Sequence, residues 1–242
     1  MPEPTRIWTI RRFAELDSTN RYLLDEAREG SPEGLVAVAD HQTAGRGRLD
    51  RTWEAPPGSS LLVSALLRPS VPAELSHVFV MAAALALADA VASVAGFVPE
   101  LKWPNDLVVG DRKLAGLLAE REHDAVVIGA GLNVNWEEFP PELAEIATAC
   151  NVEAKRVVDR DELLDAYLAG LARRLDVLDS VPGEYRARLA TLGRRVRVER
   201  AGGELTGSAV DVRHTGELIV RDDDGHEHAI TAADVTHLGP DG

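Results

Sequence analysis

Three guanidinium groups fall within six residues in the stretch from Asp40 to Trp53: Arg46, Arg48 and Arg51, interleaved with Gly45 and Gly47. Arginine carries a permanent charge and a planar fork of donors that matches carboxylate and phosphate oxygens. The glycines free the backbone to bend and to expose its N–H groups. In a chain of net charge −14, such an island predicts a bound anion, a phosphate- or carboxylate-bearing small molecule. Arginines that only solvate the fold or pair with nearby carboxylates would give the same local pattern, so the neighbouring clusters have to decide. Three stand out: Ser18-Thr19-Asn20 with Gln42, Lys102-Trp103-Pro104-Asn105-Asp106, and Lys113-Leu114-Ala115-Gly116. The first is polar without charge. The last places an amine, Lys113, at the head of an apolar run.

These groups need elements to hold them. Ile7 to Phe13 reads as a strand, and Ser18 or Thr19 as the N-cap of a short amphipathic helix ending at Gly30. Leu35 to Ala39 and Ser59 to Leu67 are strand-like, which puts the arginines on the loop between two strands. Glu74 to Ala95 is an Ala-rich helix, apolar nearly all round and therefore buried. Glu100 to Trp103 gives a short strand, Leu107 to Val109 and Lys113 to Glu120 a hairpin turning at Gly110-Asp111-Arg112, and Ala125 to Asn135 a further strand. Trp103 reads as core. Helices are expected over Glu142 to Thr148, Asp159 to Asp179 and Pro182 to Leu192. After Gly193 come five short strands with Gly- or Asp-rich turns, the texture of a small barrel. A domain boundary is expected near residue 192, separating a larger domain (1–192) from a small C-terminal domain (193–242).

Several classes are disfavoured. There is no Gly-x-x-x-x-Gly-Lys-Ser/Thr loop, and Gly129-Ala130-Gly131 lacks the third glycine of a dinucleotide fingerprint. Those glycines instead let a ligand or a neighbouring backbone approach a central strand. The acidic balance argues against DNA and anionic membranes as partners. The longest apolar run, Val78 to Ala88, is shorter than a membrane span, and Met1 to Thr5 does not open a signal peptide. Cys150 is the single cysteine, so a reducing, cytoplasmic setting is expected.

Taken together, in this order and spacing, the four clusters closely resemble the biotin protein ligases from about Ile10 to Asn135, and the C-terminal strands match in kind. The resemblance implies an α+β fold: a central mixed sheet flanked by helices, like class II aminoacyl-tRNA synthetases, with a small SH3-like barrel behind it. It implies two steps. Biotin's carboxylate attacks the α-phosphorus of ATP, with Mg2+ as the metal, and a lysine of a biotin carboxyl carrier domain then takes the acyl group from biotinyl-5′-AMP. The implied catalytic residues are Arg48 and Lys113. Implied contacts to biotin are Ser18, Thr19, Asn20, Gln42, Gly45, Arg46, Gly47, Arg48, Lys113, Gly116 and Gly131. Implied contacts to the nucleotide are Arg46, Arg48, Arg51, Trp53, Lys113 and Asn133. Trp53 would stack on adenine or pack as core, and Asp106 would bind metal or orient the incoming lysine. The chain opens at the catalytic part, as in members without a helix-turn-helix repressor domain, and pairing of edge strands leaves a homodimer open. Lipoate or octanoate ligation and non-catalytic biotin binding are the competing functions. From its glycines and mutually repelling arginines, the loop is expected to be mobile until ligands close it as a lid.

Overall fold

The computed structural model describes residues 7–49, 51–70, 76–200, 203–231 and 233–238. Met1 to Thr5 and the expected helix start at Glu74 and Leu75 lie outside them. Seven strands form one mixed sheet: β1 (Thr9–Leu16), β2 (Leu35–Gln42), β3 (Ser60–Leu67), β4 (Glu100–Lys102), β5 (Asp106–Val109), β6 (Arg112–Glu122) and β7 (Ala125–Asn133). Their order is β1-β2-β3-β7-β6-β5-β4. Only β1 and β2 run parallel, as a crossover through the helix α1 (Thr19–Arg28) requires. Ser18, in extended conformation at φ −159, caps α1 by accepting from the Arg21 N–H.

Period-two alternation divides the sheet between two cores. Leu66 of β3 and Ala125 and Val127 of β7 meet Leu23, Leu24 and Ala27 of α1 on one face. Their sequence neighbours Val63, Ala65, Val126 and Ile128 point to the other face, against α2 (Ser76–Ala95) and α4 (Arg160–Leu175). The apolar run from Val78 to Ala88 belongs to a 20-residue helix, long and apolar enough by composition to cross a bilayer. Most of it is buried within the protein, and it is the core helix of this fold.

Three expected helices differ. Glu142 to Thr148 forms hydrogen-bonded turns instead, because its backbone is recruited by the sheet: the Lys113 N–H donates to Ile146 O (2.7 Å) and the Thr148 N–H to Lys113 O (2.9 Å). The helix there, α3 (Cys150–Ala154), starts later. The helix expected over Asp159 to Asp179 is α4, which Asp159 caps by accepting from the Asp161 and Glu162 N–H groups and which ends at Leu175. A 3-10 turn (Leu178–Ser180) follows. In α5 (Val181–Arg188), Pro182 sits in the first turn, where no N–H is needed, and the helix stops short of Leu192.

The last strands are β8 (Arg195–Arg200), β9 (Gly203–Val212), β10 (Leu218–Arg221), β11 (Glu227–Ile230) and β12 (Asp234–His237). They pair antiparallel in the order β11-β10-β9-β8-β12. Among the described residues β11 and β12 do not pair with each other, so this is an open SH3-like sheet and not the closed barrel expected. It docks back on the larger sheet. Trp103, buried as expected at 2% exposure, donates its Nε1–H to Gly216 O at 2.8 Å. The Trp103 backbone N–H donates to Thr191 Oγ1 at 3.0 Å.

Candidate active site

On the α1 side of the sheet, the residues facing outward change along the strands. Leu66 and Val127 lie under the helix body; next come Ser64 opposite Gly129, then Leu62 opposite Gly131, with Gly116 of β6 beside Gly131. Because α1 begins only at Thr19, this glycine-rich end is left uncovered by helix. A cavity of about 320 Å³ stands above it, within the usual size of a small-molecule site. A Cβ at Gly131 would lie 2.6 Å from the Trp53 ring, and one at Gly116 3.1 Å from it. The two glycines are therefore the floor on which an aromatic plate rests. Trp53 Nε1 is buried there without a partner, and Lys113 Nζ lies 5.7 Å from the ring centre.

One end of the cavity is polar and neutral. The Thr19 N–H and hydroxyl both donate to Gln42 Oε1, at 2.8 and 3.0 Å. Buried Ser64 Oγ stands 2.7 Å from Thr19 Oγ1 and 2.6 Å from Asn20 Oδ1. Its single proton serves one of them, which leaves an acceptor for an incoming N–H donor. Asn20 Nδ2 donates to Glu120 Oε2 at 2.9 Å.

The other end is cationic. The arginine loop is a tight hairpin in which the Gly47 N–H donates to Arg51 O (2.7 Å) and the Trp53 N–H to Gly45 O (3.0 Å). Leu49 at its tip is in the left-handed region, φ 54. The expected mutual repulsion of the arginines is offset by carboxylates: Arg46 pairs with Glu120 at 2.9 Å and Arg51 with Asp234 of β12. Arg48 is partly buried, its NH1 3.3 Å from Asn105 Oδ1 and 3.5 Å from Ala233 O. Burial pulls its pKa below the ordinary guanidinium value, opposed by Asp234 and Asp106 and assisted by Arg51; arginine stays charged at any working pH. Across from it, Lys113 Nζ makes an ionic contact with Asp106 Oδ1 at 2.8 Å.

Of the residues singled out in the sequence, Ser18, Thr19, Asn20, Gln42, Arg46, Gly47, Arg48, Arg51, Trp53, Asp106, Lys113, Gly116 and Gly131 all line this one cavity. Two do not. Gly45 lies behind the hairpin, where a Cβ would overlap the Trp53 carbonyl. Asn133 is buried beyond the cavity lining, donating to Thr148 O at 3.0 Å, so it anchors the segment after β7. Sequence reasoning missed Ser64, Glu120, Glu199 and Asp234. For Ser64 a signal existed, a hydroxyl inside the otherwise apolar stretch 61–67. For Glu199 and Asp234, which line the cavity from the C-terminal sheet together with Val235 and Thr236, no local signal exists.

Residues 13–133 match the family model described as the biotin/lipoate A/B protein ligase family. The chain belongs to that family. Residues 191–238 of this ligase match the biotin protein ligase C terminal domain. It is 37% identical over 235 residues to a biotin–[acetyl-CoA-carboxylase] ligase of Mycobacterium tuberculosis, covering 93% of this chain and 87% of the relative. The ligase of that name from Paracoccus denitrificans is 32% identical, with 92% and 98% covered. Among solved structures, the biotin protein ligase of Aquifex aeolicus in complex with biotin and ATP superposes with a TM-score of 0.85 at 27% identity, covering 95% of this ligase and 99% of that chain.

Proposed function

We infer that this ligase activates biotin with ATP as biotinyl-5′-AMP and transfers the biotinyl group to a lysine of a biotin carboxyl carrier domain, that of an acetyl-CoA carboxylase. The observation that carries this is one cavity with a neutral hydrogen-bonding end and a cationic end joined by a glycine floor. Biotin has the matching halves: an uncharged ureido ring, and a carboxylate that must meet a polyphosphate. Ser18, Thr19, Asn20 and Gln42 take the ureido group, with Ser64 setting the Thr19 and Asn20 side chains. Gly47, Gly116 and Gly131 wall the bicycle.

The obstacle in the first step is repulsion between anions, about 4 kcal/mol per unit pair at 4 Å and an effective dielectric near 20. Arg48 and Lys113 offset it from opposite sides, while Arg46 and Arg51 hold the phosphates. A carboxylate oxygen bonds to the α-phosphorus as pyrophosphate leaves with the electron pair. Trp53, resting on its glycine floor, is the flat surface offered to adenine. In the second step the carrier amine bonds to the acyl carbon and AMP leaves; Asp106, beside Lys113, orients that amine.

Mg2+ prefers about six oxygen ligands. Asp106 is engaged by Lys113, and among the described residues the acid and histidine groups that could together hold a metal are Asp222, Asp224 and His226, outside the cavity lining. The described residues therefore do not form a magnesium site by themselves, and the ion would enter with the nucleotide. We place the domain boundary near residue 192 and the enzyme in the cytoplasm, which suits the single buried thiol of Cys150; burial pushes that thiol's pKa up to about 12. Homodimerisation would use unpaired strand edges.

The test is transfer of labelled biotin to a carrier domain, with labelled lipoate as competitor. The intact protein should label the carrier with biotin. Lys113→Ala and Arg48→Ala should each slow it by about 100-fold or more, the value of one pre-aimed donor. Preferential transfer of lipoate would refute the assignment.

A further inference from the structure

The role of the C-terminal sheet is written in one contact. Arg51, at the far end of the arginine hairpin, forms an ion pair with Asp234 at the start of β12, while Arg48 on the same hairpin reaches Ala233 O. Its opposite end is tied to the large sheet through Arg46 and Glu120. Between the two ties sits Leu49, exposed and held at φ 54, a backbone conformation that a non-glycine residue keeps only where its surroundings over-determine it. Asp234 and its register partner Glu199 also line the cavity.

We propose that Asp234 is a positioning residue: by holding Arg51 it fixes the arginine hairpin closed over the cavity with Arg48 aimed inward, which makes the C-terminal sheet a wall of the active site. Among the described residues, the hairpin's other internal bonds are the backbone contacts of a short turn. With the Asp234 contact gone, the closed form becomes one of several, and the apparent affinity for a ligand that needs it falls by the fraction lost. Asp234 acts through Arg51, so the step after binding keeps its rate.

The nucleotide arm of the test rests on the function proposed above; the proteolysis arm does not. Trypsin cleaves after Arg46, Arg48 and Arg51, and only in an open hairpin. Expected for Asp234→Asn in the ligand-free full chain is cleavage in this hairpin at least fivefold faster than wild type, with the melting temperature nearly unchanged. The KM for ATP should rise about fivefold while kcat stays within twofold. Asp234→Glu, which keeps the carboxylate, should recover most of both. The double variant Arg51→Gln/Asp234→Asn should be no worse than Arg51→Gln alone, because Asp234 acts only through Arg51. Unchanged hairpin cleavage in Asp234→Asn, or faster cleavage with an unaltered KM for ATP, overturns the proposal. A wild-type chain that makes no adenylate refutes the function instead, and the cleavage rates still decide whether the latch exists.

Discussion

Replacing Gly131 with alanine is the sharpest steric test of the glycine floor. The new methyl would stand 2.6, 2.8 and 3.0 Å from three atoms of the Trp53 indole. Non-bonded carbons pack at about 3.5–4.0 Å, so the ring has to retreat by about 1 Å or leave the floor. Trp53 is a rigid plate on a hairpin tied at both ends, and Gly116 beside it offers a floor at the same level. Overpacking of this kind costs roughly 1–3 kcal/mol. Where the bicycle of biotin must share that floor, the cost appears as about 5- to 150-fold weaker biotin binding. Titration calorimetry with biotin on wild type and Gly131→Ala reads it directly. A red shift in tryptophan emission should accompany it as the indole moves toward water. The fold should survive, because the opposite face of β7 packs as before. Biotin affinity within twofold of wild type would refute the steric reasoning, and with it the assignment of this floor to the ligand.

Two other outcomes are expected. Ser64→Ala removes a buried proton shared between Thr19 and Asn20 and leaves a buried acceptor without a partner. That costs about 1–3 kcal/mol and should raise the KM for biotin far more than that for ATP in steady-state assays. His237 Nε2 lies 3.1 Å from Thr191 Oγ1, and burial, then Lys102 and Arg194, lower its pKa to about 4 against the pull of Asp111. Its folded pKa is depressed, so the stability it contributes is full above the ordinary value of about 6.5 and is lost as pH falls toward 4. With partial exposure discounted, the loss is about 1–2 kcal/mol. Thermal melts from pH 7 to pH 4 should show a shallower decline for His237→Gln than for wild type; equal slopes would contradict this.

How much of this was legible in the chain depended on how local the cause is. The Ser18 cap, the apolar runs of β3 and β7 and the glycines at 116, 129 and 131 declare themselves, because each answers to neighbours one turn or one strand step away. Glu142 to Thr148 has helical composition but lost its helix to the backbone of Lys113, a partner some thirty residues earlier in the chain. Asn133 was expected at the nucleotide, yet it lies outside the cavity lining and its amide N–H donates to Thr148 O. Asp234 and Glu120 carry no local mark at all; only tertiary docking gives each its arginine. The carboxylate partners of the site cations Arg46, Arg51 and Lys113 could not be read from a sequence that lists charges without distances.

The central claim is that Arg48 and Lys113 together neutralise two anions so that they can combine. Single-turnover pyrophosphate release on mixing the protein with biotin and ATP tests it most directly. The expected result is a biotin-dependent burst of about one equivalent in wild type, slowed by about 100- to 1000-fold in either Arg48→Ala or Lys113→Ala. A burst that needs no biotin, or that proceeds at the wild-type rate without Arg48 and without Lys113, would contradict it.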